Sequence, residues 1–325
     1  MAPRRTSLAF SFLVGAIFPA FSLTVPASSQ AQEPVPVRID VGGYKLNSLL
    51  LEPQEQAELP PIVFLHGASA SLYDPLLSFA DKFRGRAKLL FVDRPGHGSS
   101  DIGGKDNILP DGQADAVAQL MKKRGIRKAI IVGHSFGGAI TAAFALRHPE
   151  MVSGPGGIAW YYTAASARVT GPLFSIFVAP PVGFLALDRA TRGVFAPNHR
   201  PPGYVEATRA WGALRPQAFR HNAQEVAALN TWARSASPNY SKIKAPTVII
   251  TGDTDNVVSP DIHSRQLARA IDGSSLIVVR NLGHKSDYVA RDLVVAAIEK
   301  LAGKSVDLRA AQKKLEQRIA GDRDK

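Results

Sequence analysis

The chain of 325 residues predicts an α/β fold: a mostly parallel sheet with helices on both faces, plus a helical insertion. Three observations carry this expectation. Short apolar runs such as "PPIVFLHG", "AKLLFVDR" and "KAIIVGHS" alternate with amphipathic helix patterns, and strands that are apolar throughout belong to sheets covered on both sides. The alternation stops after Trp160: residues 165–244 are rich in Pro, Gly, aromatics and Arg and hold helical pieces but no clear strand. It resumes at "APTVIITGDTD", so the interruption lies between two strands of one sheet and reads as a lid over the sheet's carboxyl edge.

The first 31 residues stand apart. "MAPRR" is a short cationic start, an apolar run follows, and Ser29 and Ala31 offer small residues for cleavage. This three-part pattern predicts a secretory signal peptide and a periplasmic or secreted mature chain. The alternative is an uncleaved membrane anchor, because the run approaches spanning length although Pro19 interrupts it. Then "VRIDVGGYKLNSLLLEP" reads as a hairpin around Gly42 and Gly43, and strand and helix alternate from "PPIVFLHG" onwards. Residues 32–164 and 245–303 form the expected core. The tail 304–325 reads as an additional surface helix that frays, without chemistry of its own.

Composition removes several function classes. The chain has no cysteine, which excludes disulfides, thiolate metal sites and a cysteine nucleophile. Its formal charge is +12, and losing Arg4 and Arg5 with the leader leaves 12 − 2 = +10. The basic residues are scattered, without an aromatic-plus-basic motif, so no nucleic-acid partner is expected. A weak association with anionic membrane surfaces is compatible with the excess, as is simple solubility.

The stretch "IIVGHSFGGAI" carries the chemistry. Gly133-His134-Ser135-Phe136-Gly137 matches G-x-S-x-G, a sharp strand-to-helix turn that lifts a serine oxygen above a sheet. A serine hydroxyl needs a base to take its proton and an acid to orient that base. His284, in "VVRNLGHKSD", directly follows the last strand and is the expected base. Asp255 in "TGDTDNVVSP" is the expected acid, with Asp253 as a turn residue; residues 151–187 hold no Asp or Glu to compete. His134 is expected to point elsewhere, and His148, His199, His221 and His263 to be surface or packing residues. The amides of Phe136 and of Ala68 in "FLHGASA" are the candidate oxyanion donors, with His66 anchoring that loop.

With these stretches in the order Ser, Asp, His, the chain resembles the α/β-hydrolase superfamily from about Val35 to Gly303. "LHGASAS", "FVDRPGHGSSD", "VGHSFGG", "TGDTDNVVSP" and "NLGHKSD" stand where that family places its loops. The resemblance implies Ser135 as nucleophile, His284 as general base, Asp255 as its partner, and Ala68 with Phe136 as the oxyanion hole, with no metal or organic cofactor. It implies that "DRPGHGSS", including His97, is a structural turn beside the serine. Relatives that open epoxides or displace halide carry Asp where this chain has Ser135, so an esterase or lipase-like reaction on a small ester is expected. Perhydrolase or haloperoxidase-like chemistry, acyl transfer, and a non-catalytic binding role are the alternatives. Phe174, Phe177, Trp160 and Trp211 are candidate substrate-pocket residues, drawn from an uncharged run at 169–187 and its surroundings. Ordinary packing of the lid explains the same residues. "MVSGPGGIAWYY" departs from a smooth apolar strand and leaves that strand's limits open.

Overall fold

The computed structural model describes residues 34–153, 158–162 and 180–323, with side chains for 34–153 and 186–323. The N-terminal segment read as a leader lies outside the described residues.

Eight strands form one sheet in the order β1-β2-β4-β3-β5-β6-β7-β8. β1 (Val37–Asp40) and β2 (Lys45–Leu51) make the expected hairpin, and β2 pairs antiparallel with β4 (Leu89–Val92). From β4 onward every pairing is parallel, through β3 (Ile62–Leu65), β5 (Ile130–Ser135), β6 (Ile158–Tyr162), β7 (Thr247–Gly252) and β8 (Ser275–Val279). The glycine-rich stretch before Ile158 therefore precedes a strand whose limits the sequence left open. Because side chains alternate along a strand, Val63, Leu65, Leu90, Val92 and Ile131 pack on one face. Ile62, Phe64, Leu89, Phe91, Ile130 and Val132 pack on the other.

Helices cover both faces. α1 (Tyr73–Phe83) lies on one side, and α2 (Pro110–Lys123) and α3 (Phe136–Arg147) on the other. α3 is buried almost all round, as its small residues "GGAITAAFA" allow. The described part of the segment between β6 and β7 is helical: α4 (Pro180–Phe195), the single turn α5 (Tyr204–Ala207), a 3₁₀ turn at Ala210–Leu214, and α6 (Pro216–Ala236). After β7 come α7 (Ser264–Ala270), then after β8 the short α8 (Ser286–Val289), α9 (Arg291–Leu301) and α10 (Leu308–Ile319). Among the described residues no helix is long and apolar enough to cross a membrane.

α10 corrects the expectation of a fraying tail. Asp307 caps it by accepting from the amides of Arg309 and Ala310 at 2.9 and 3.1 Å. Leu308, Leu315 and Ile319 are buried in the core on the α1 face. Gln312 donates its side-chain amide to the Val278 carbonyl at 2.9 Å, and Glu316 pairs with Arg280, so the helix covers the β8 edge of the sheet. The charged residues of "LRAAQKKLEQRI" dominate its average, while the three apolar residues that dock it sit on one stripe. Ile319→Ala should cost about 2–4 kcal/mol in urea unfolding; an unchanged midpoint would show that α10 is not docked.

Candidate active site

The site is built on the turn at Ser135. β5 ends there and α3 starts one residue later, with Ser135 held at φ 53°. That is a left-handed conformation costly for a serine unless its surroundings impose it. They do so by backbone contact. A β-carbon on Gly133 would stand 2.2 Å from the Gly137 carbonyl oxygen, and one on Gly137 would stand 2.2 Å from that of Leu65. Only glycine permits the two elements and β3 to approach this closely.

The loops after β7 and β8 bring a carboxylate and an imidazole together. His284 Nδ1 lies 3.0 Å from Asp255 Oδ2, and both residues are buried. The other oxygen, Oδ1, accepts from the amides of Val257 and Val258, each at 2.9 Å. Burial pushes the Asp255 carboxyl up, but the facing imidazole and these amides outweigh it and hold the group below its ordinary range. A carboxylate on Nδ1 leaves Nε2 as the nitrogen free to exchange a proton. Asp253 stands in the turn that follows β7, and its carboxylate accepts from the Asn281 amide at 2.8 Å, tying the two loops together.

Ser135, His284, Ala68 and Phe136 all line one cavity of about 220 Å³. Its remaining described walls are largely apolar, with Leu187, Val194 and Phe195 of α4 and Phe219, Val226 and Leu229 of α6. Val194 and Phe195 belong to the stretch expected to form a pocket. Phe174 and Phe177 lie outside the described residues, and of Trp160 only the backbone, in β6, is described. Trp211 is corrected: its side chain is 47% exposed, while Ala210 and Ala213 line the cavity. In a 3₁₀ turn positions three apart share a face, so the alanines turn inward and Trp211 outward.

Two buried ionic clusters flank the cavity, and sequence reasoning reached neither. In the first, Lys285, next to His284, donates to Asp74 Oδ2 at 2.7 Å and to Asp287 Oδ2 at 2.9 Å. Tyr204 donates to Asp74 Oδ1 at 2.8 Å. Asp74, His134 and Asp287 bring potential metal-ligating atoms within 4.8 Å of one another. Two of these three groups, however, already hold the lysine ammonium. Burial pulls the Lys285 ammonium down, but the two carboxylates outweigh it and raise it, so it stays charged. His134, expected to be a bystander, is buried and lies 3.0 Å through Nε2 from the His284 carbonyl oxygen. Burial, then Lys285, hold His134 well below its ordinary range. It is thus neutral, with the proton on Nε2, and pins the backbone of His284.

In the second cluster Arg94 and Glu225 are both fully buried, with Arg94 Nη1 3.1 Å from Glu225 Oε1. His97 Nε2 lies 2.7 Å from Glu225 Oε2, and His221 Nε2 lies 3.2 Å from Oε1. Of the two readings offered for His221, surface or packing, the structure shows the second: it is buried. The "DRPGHGSS" loop receives it: a β-carbon on Gly96, at φ 75°, would stand 2.1 Å from the His221 ring. His66 anchors its own loop, as expected, with Nδ1 2.8 Å from the Gly67 carbonyl.

The comparisons with known proteins agree with this architecture. The family model described as "Alpha/beta hydrolase family" matches residues 62–298. The chain belongs to that family. Among curated relatives, a 2-hydroxy-6-oxo-6-phenylhexa-2,4-dienoate hydrolase of Comamonas testosteroni is 27% identical over 76% of this chain and 89% of its own length. The monoacylglycerol lipase abhd6-A of Xenopus laevis is 27% identical over 69% of each chain. Among solved structures, a 2-hydroxy-6-oxo-6-phenylhexa-2,4-dienoate hydrolase from Rhodococcus sp. strain RHA1 superposes with a TM-score of 0.70 at 19% identity, over 84% of this chain and 99% of that one. That likeness is one of fold. Hydrolase chemistry follows from the family and its relatives; the bond cleaved does not.

The buried histidines give the fold a pH dependence. Burial, then the charge of Arg94, holds His66 well below 6.5 and His97 down to about 4; burial, then Lys285, holds His134 down. As pH falls from about 6.5 towards 4, the unfolded chain takes up protons that the folded one refuses. Each such histidine then removes up to about 1.4 kcal/mol of stability per pH unit. Denaturant unfolding at pH 7, 6 and 5 should show stability declining with acid, before the carboxylates titrate; a flat profile would mean that these imidazoles are charged in the fold.

Proposed function

We propose that the protein is a serine hydrolase of neutral carboxylic esters working through an acyl-enzyme. The observation that carries this reading is the convergence of Ser135, in its left-handed turn, and the Asp255-braced His284 on one largely apolar cavity. In this mechanism His284 Nε2 takes the proton of Ser135 as the serine oxygen attacks the ester carbonyl. Asp255 holds the imidazole in the tautomer that permits this and stabilises the imidazolium. The developing oxyanion rests on the amides of Ala68 and Phe136, and the leaving alcohol takes the proton from His284. Water, activated by the same histidine, attacks the acyl-serine, and the acid departs. The helical segment between β6 and β7 acts as a lid whose α4 and α6 residues receive the acyl chain.

The relatives named above include enzymes whose names specify a dienoate, which carries a carboxylate, and one named for a monoacylglycerol. The cavity favours the neutral class. Its described lining holds Asp74 and Lys285 as the only Asp, Glu, Lys or Arg residues, and Lys285 is engaged by Asp74 and Asp287. Among the described residues a substrate carboxylate would have to be desolvated there without a free cation, which is costly. An ester with an alkyl or aryl chain meets no such penalty.

A fluorophosphonate probe should label the wild-type protein and not Ser135→Ala, and that variant should lose at least about 10³-fold in kcat on p-nitrophenyl butyrate. Within a p-nitrophenyl ester series, kcat/KM should rise from acetate to longer acyl groups. Equal labelling of both proteins would sink the mechanism, and a steep preference for acetate would sink the apolar acyl site.

A further inference from the structure

The Ala68 amide belongs to the peptide unit whose carbonyl is that of Gly67, and that carbonyl is held from below by two donors. Arg94 Nη2 donates to it at 3.1 Å. The second is His66. Its Nε2 lies 3.1 Å from the Arg94 backbone N–H and accepts from it, so in the neutral ring Nδ1 carries the proton and donates to the Gly67 oxygen at 2.8 Å. In a planar trans peptide the N–H points opposite to the carbonyl. Fixing the Gly67 oxygen towards the buried cluster therefore fixes the Ala68 N–H towards the other side, where Ala68 lines the cavity.

Both flanks of this peptide are secured by one helix. On α6, Glu225 holds the Arg94 guanidinium through its carboxylate. Three residues earlier on the same helix face, Asn222 Oδ1 accepts from the Ser69 amide at 2.9 Å and its Nδ2 donates to Ser69 Oγ at 3.1 Å. Ser69 follows Ala68 and sits at φ 55°, a conformation that needs outside support in a serine. Arg94 also lies over the ring of Phe136, 4.6 Å from its centroid; Phe136 supplies the other amide of the proposed oxyanion hole.

A fully buried ion pair is weak as a source of stability, because desolvating both charges cancels most of the attraction. Arg94 and Glu225 are nevertheless kept at zero exposure, and the guanidinium's remaining contacts go to Gln113, His97 and the Gly67 carbonyl. Such a costly arrangement makes sense as a way of holding geometry.

We infer that α6 is a clamp on the oxyanion loop: Glu225 through Arg94, and Asn222 through Ser69, are positioning residues that present the Ala68 amide ready-made to the developing negative charge. This rests on the ester hydrolysis proposed above. Glu225, Arg94 and Asn222 lie off the described cavity lining, and Ser69 is on it beside Ala68. The clamp makes the helical segment part of the catalytic geometry as well as a cover, since withdrawing α6 would release both ends of the donor peptide together. An amide that must reorient during the reaction stabilises the transition state less than one already in place, without altering how the uncharged ester binds.

The test compares Asn222→Ala, Asn222→Asp and Glu225→Gln with wild type and Ser135→Ala, on p-nitrophenyl butyrate and on a trifluoromethyl ketone of matching chain length. The ketone adds the serine oxygen to its carbonyl carbon and places an oxyanion in the hole. Asn222→Ala and Glu225→Gln should each lower kcat about 10- to 100-fold with KM within about 2-fold. Ketone affinity should fall in parallel with kcat/KM. Asn222→Asp keeps an acceptor for the Ser69 amide and should recover most of the rate, whatever it does to melting temperature. Should Glu225→Gln fail to fold, the Asn222 pair decides alone. Variants that raise KM at constant kcat, or lose rate with undiminished ketone affinity, overturn the clamp while leaving the hydrolase reading intact. A wild type that hydrolyses no ester and takes no fluorophosphonate overturns both.

Discussion

The close approach of three backbone segments, β5, the first turn of α3 and the end of β3, is the constraint on which the rest of this structure depends. The contacts that Gly133 and Gly137 make are with carbonyl oxygens, which cannot rotate away as a side chain could. The chain must therefore pass from strand to helix at Ser135 without room for adjustment, and Ser135 takes up its left-handed conformation. The hydroxyl's position is thus set by main-chain packing, which is stiffer than any side-chain network. The parallel order of β5, β6, β7 and β8 does the remainder. It delivers the loops carrying Asp255 and His284 to the same edge of the sheet at which β5 ends.

What could be read from the sequence follows from this. Features encoded in neighbouring residues were legible: the glycine spacing around Ser135, the apolar strands, the hairpin at Gly42 and Gly43, and the carboxylate placed just after β7. Asp255, preferred over Asp253 on its position in "TGDTDNVVSP", lies 3.0 Å from His284. Features created by folding were not legible. Arg94 and Glu225 are 131 positions apart, and neither stretch looks unusual alone; a buried Glu in "HNAQEVAAL" resembles any charged helix residue. Only the three inward-spaced positions His221, Asn222 and Glu225, facing a loop with glycines at 96 and 98, carry a signal. It becomes readable once the loop and the helix are known to meet. Trp211 illustrates the opposite error. A large aromatic suggests a pocket wall, yet the three-residue period of its turn presents Ala210 and Ala213 instead.

The tail shows a further limit. Average polarity described α10 as a surface helix, but docking depends on a stripe, and Leu308, Leu315 and Ile319 form one. The helix also meets a need that no local pattern expresses. β8 is the last strand of the sheet, and an uncovered strand edge invites pairing with other chains. Gln312 and Glu316 occupy that edge with their side chains.

The two buried ionic clusters share a logic that bears on what the cavity can accept. In each, a cation beside the cavity is held by a carboxylate from a distant element: Arg94 by Glu225, and Lys285 by Asp74, with the neighbouring Asp287 as a second partner. In each, the polar groups end on backbone next to a candidate functional residue: the Gly67 carbonyl beside Ala68, and the His284 carbonyl held by His134. Phe195, Tyr204 and Tyr288 lie around the Lys285 ammonium at 5.9, 5.6 and 5.2 Å from their ring centroids, screening it further. Charge here is spent inside the protein on holding loops. The described cavity walls are consequently left with largely apolar side chains and the polar groups of the site, as the proposed reaction on a neutral ester requires. On the proposed reading, a described wall of this kind would tolerate variation in the apolar part of an ester and disfavour a charged one. That is the behaviour expected when electrostatics serve to fix the site's own geometry.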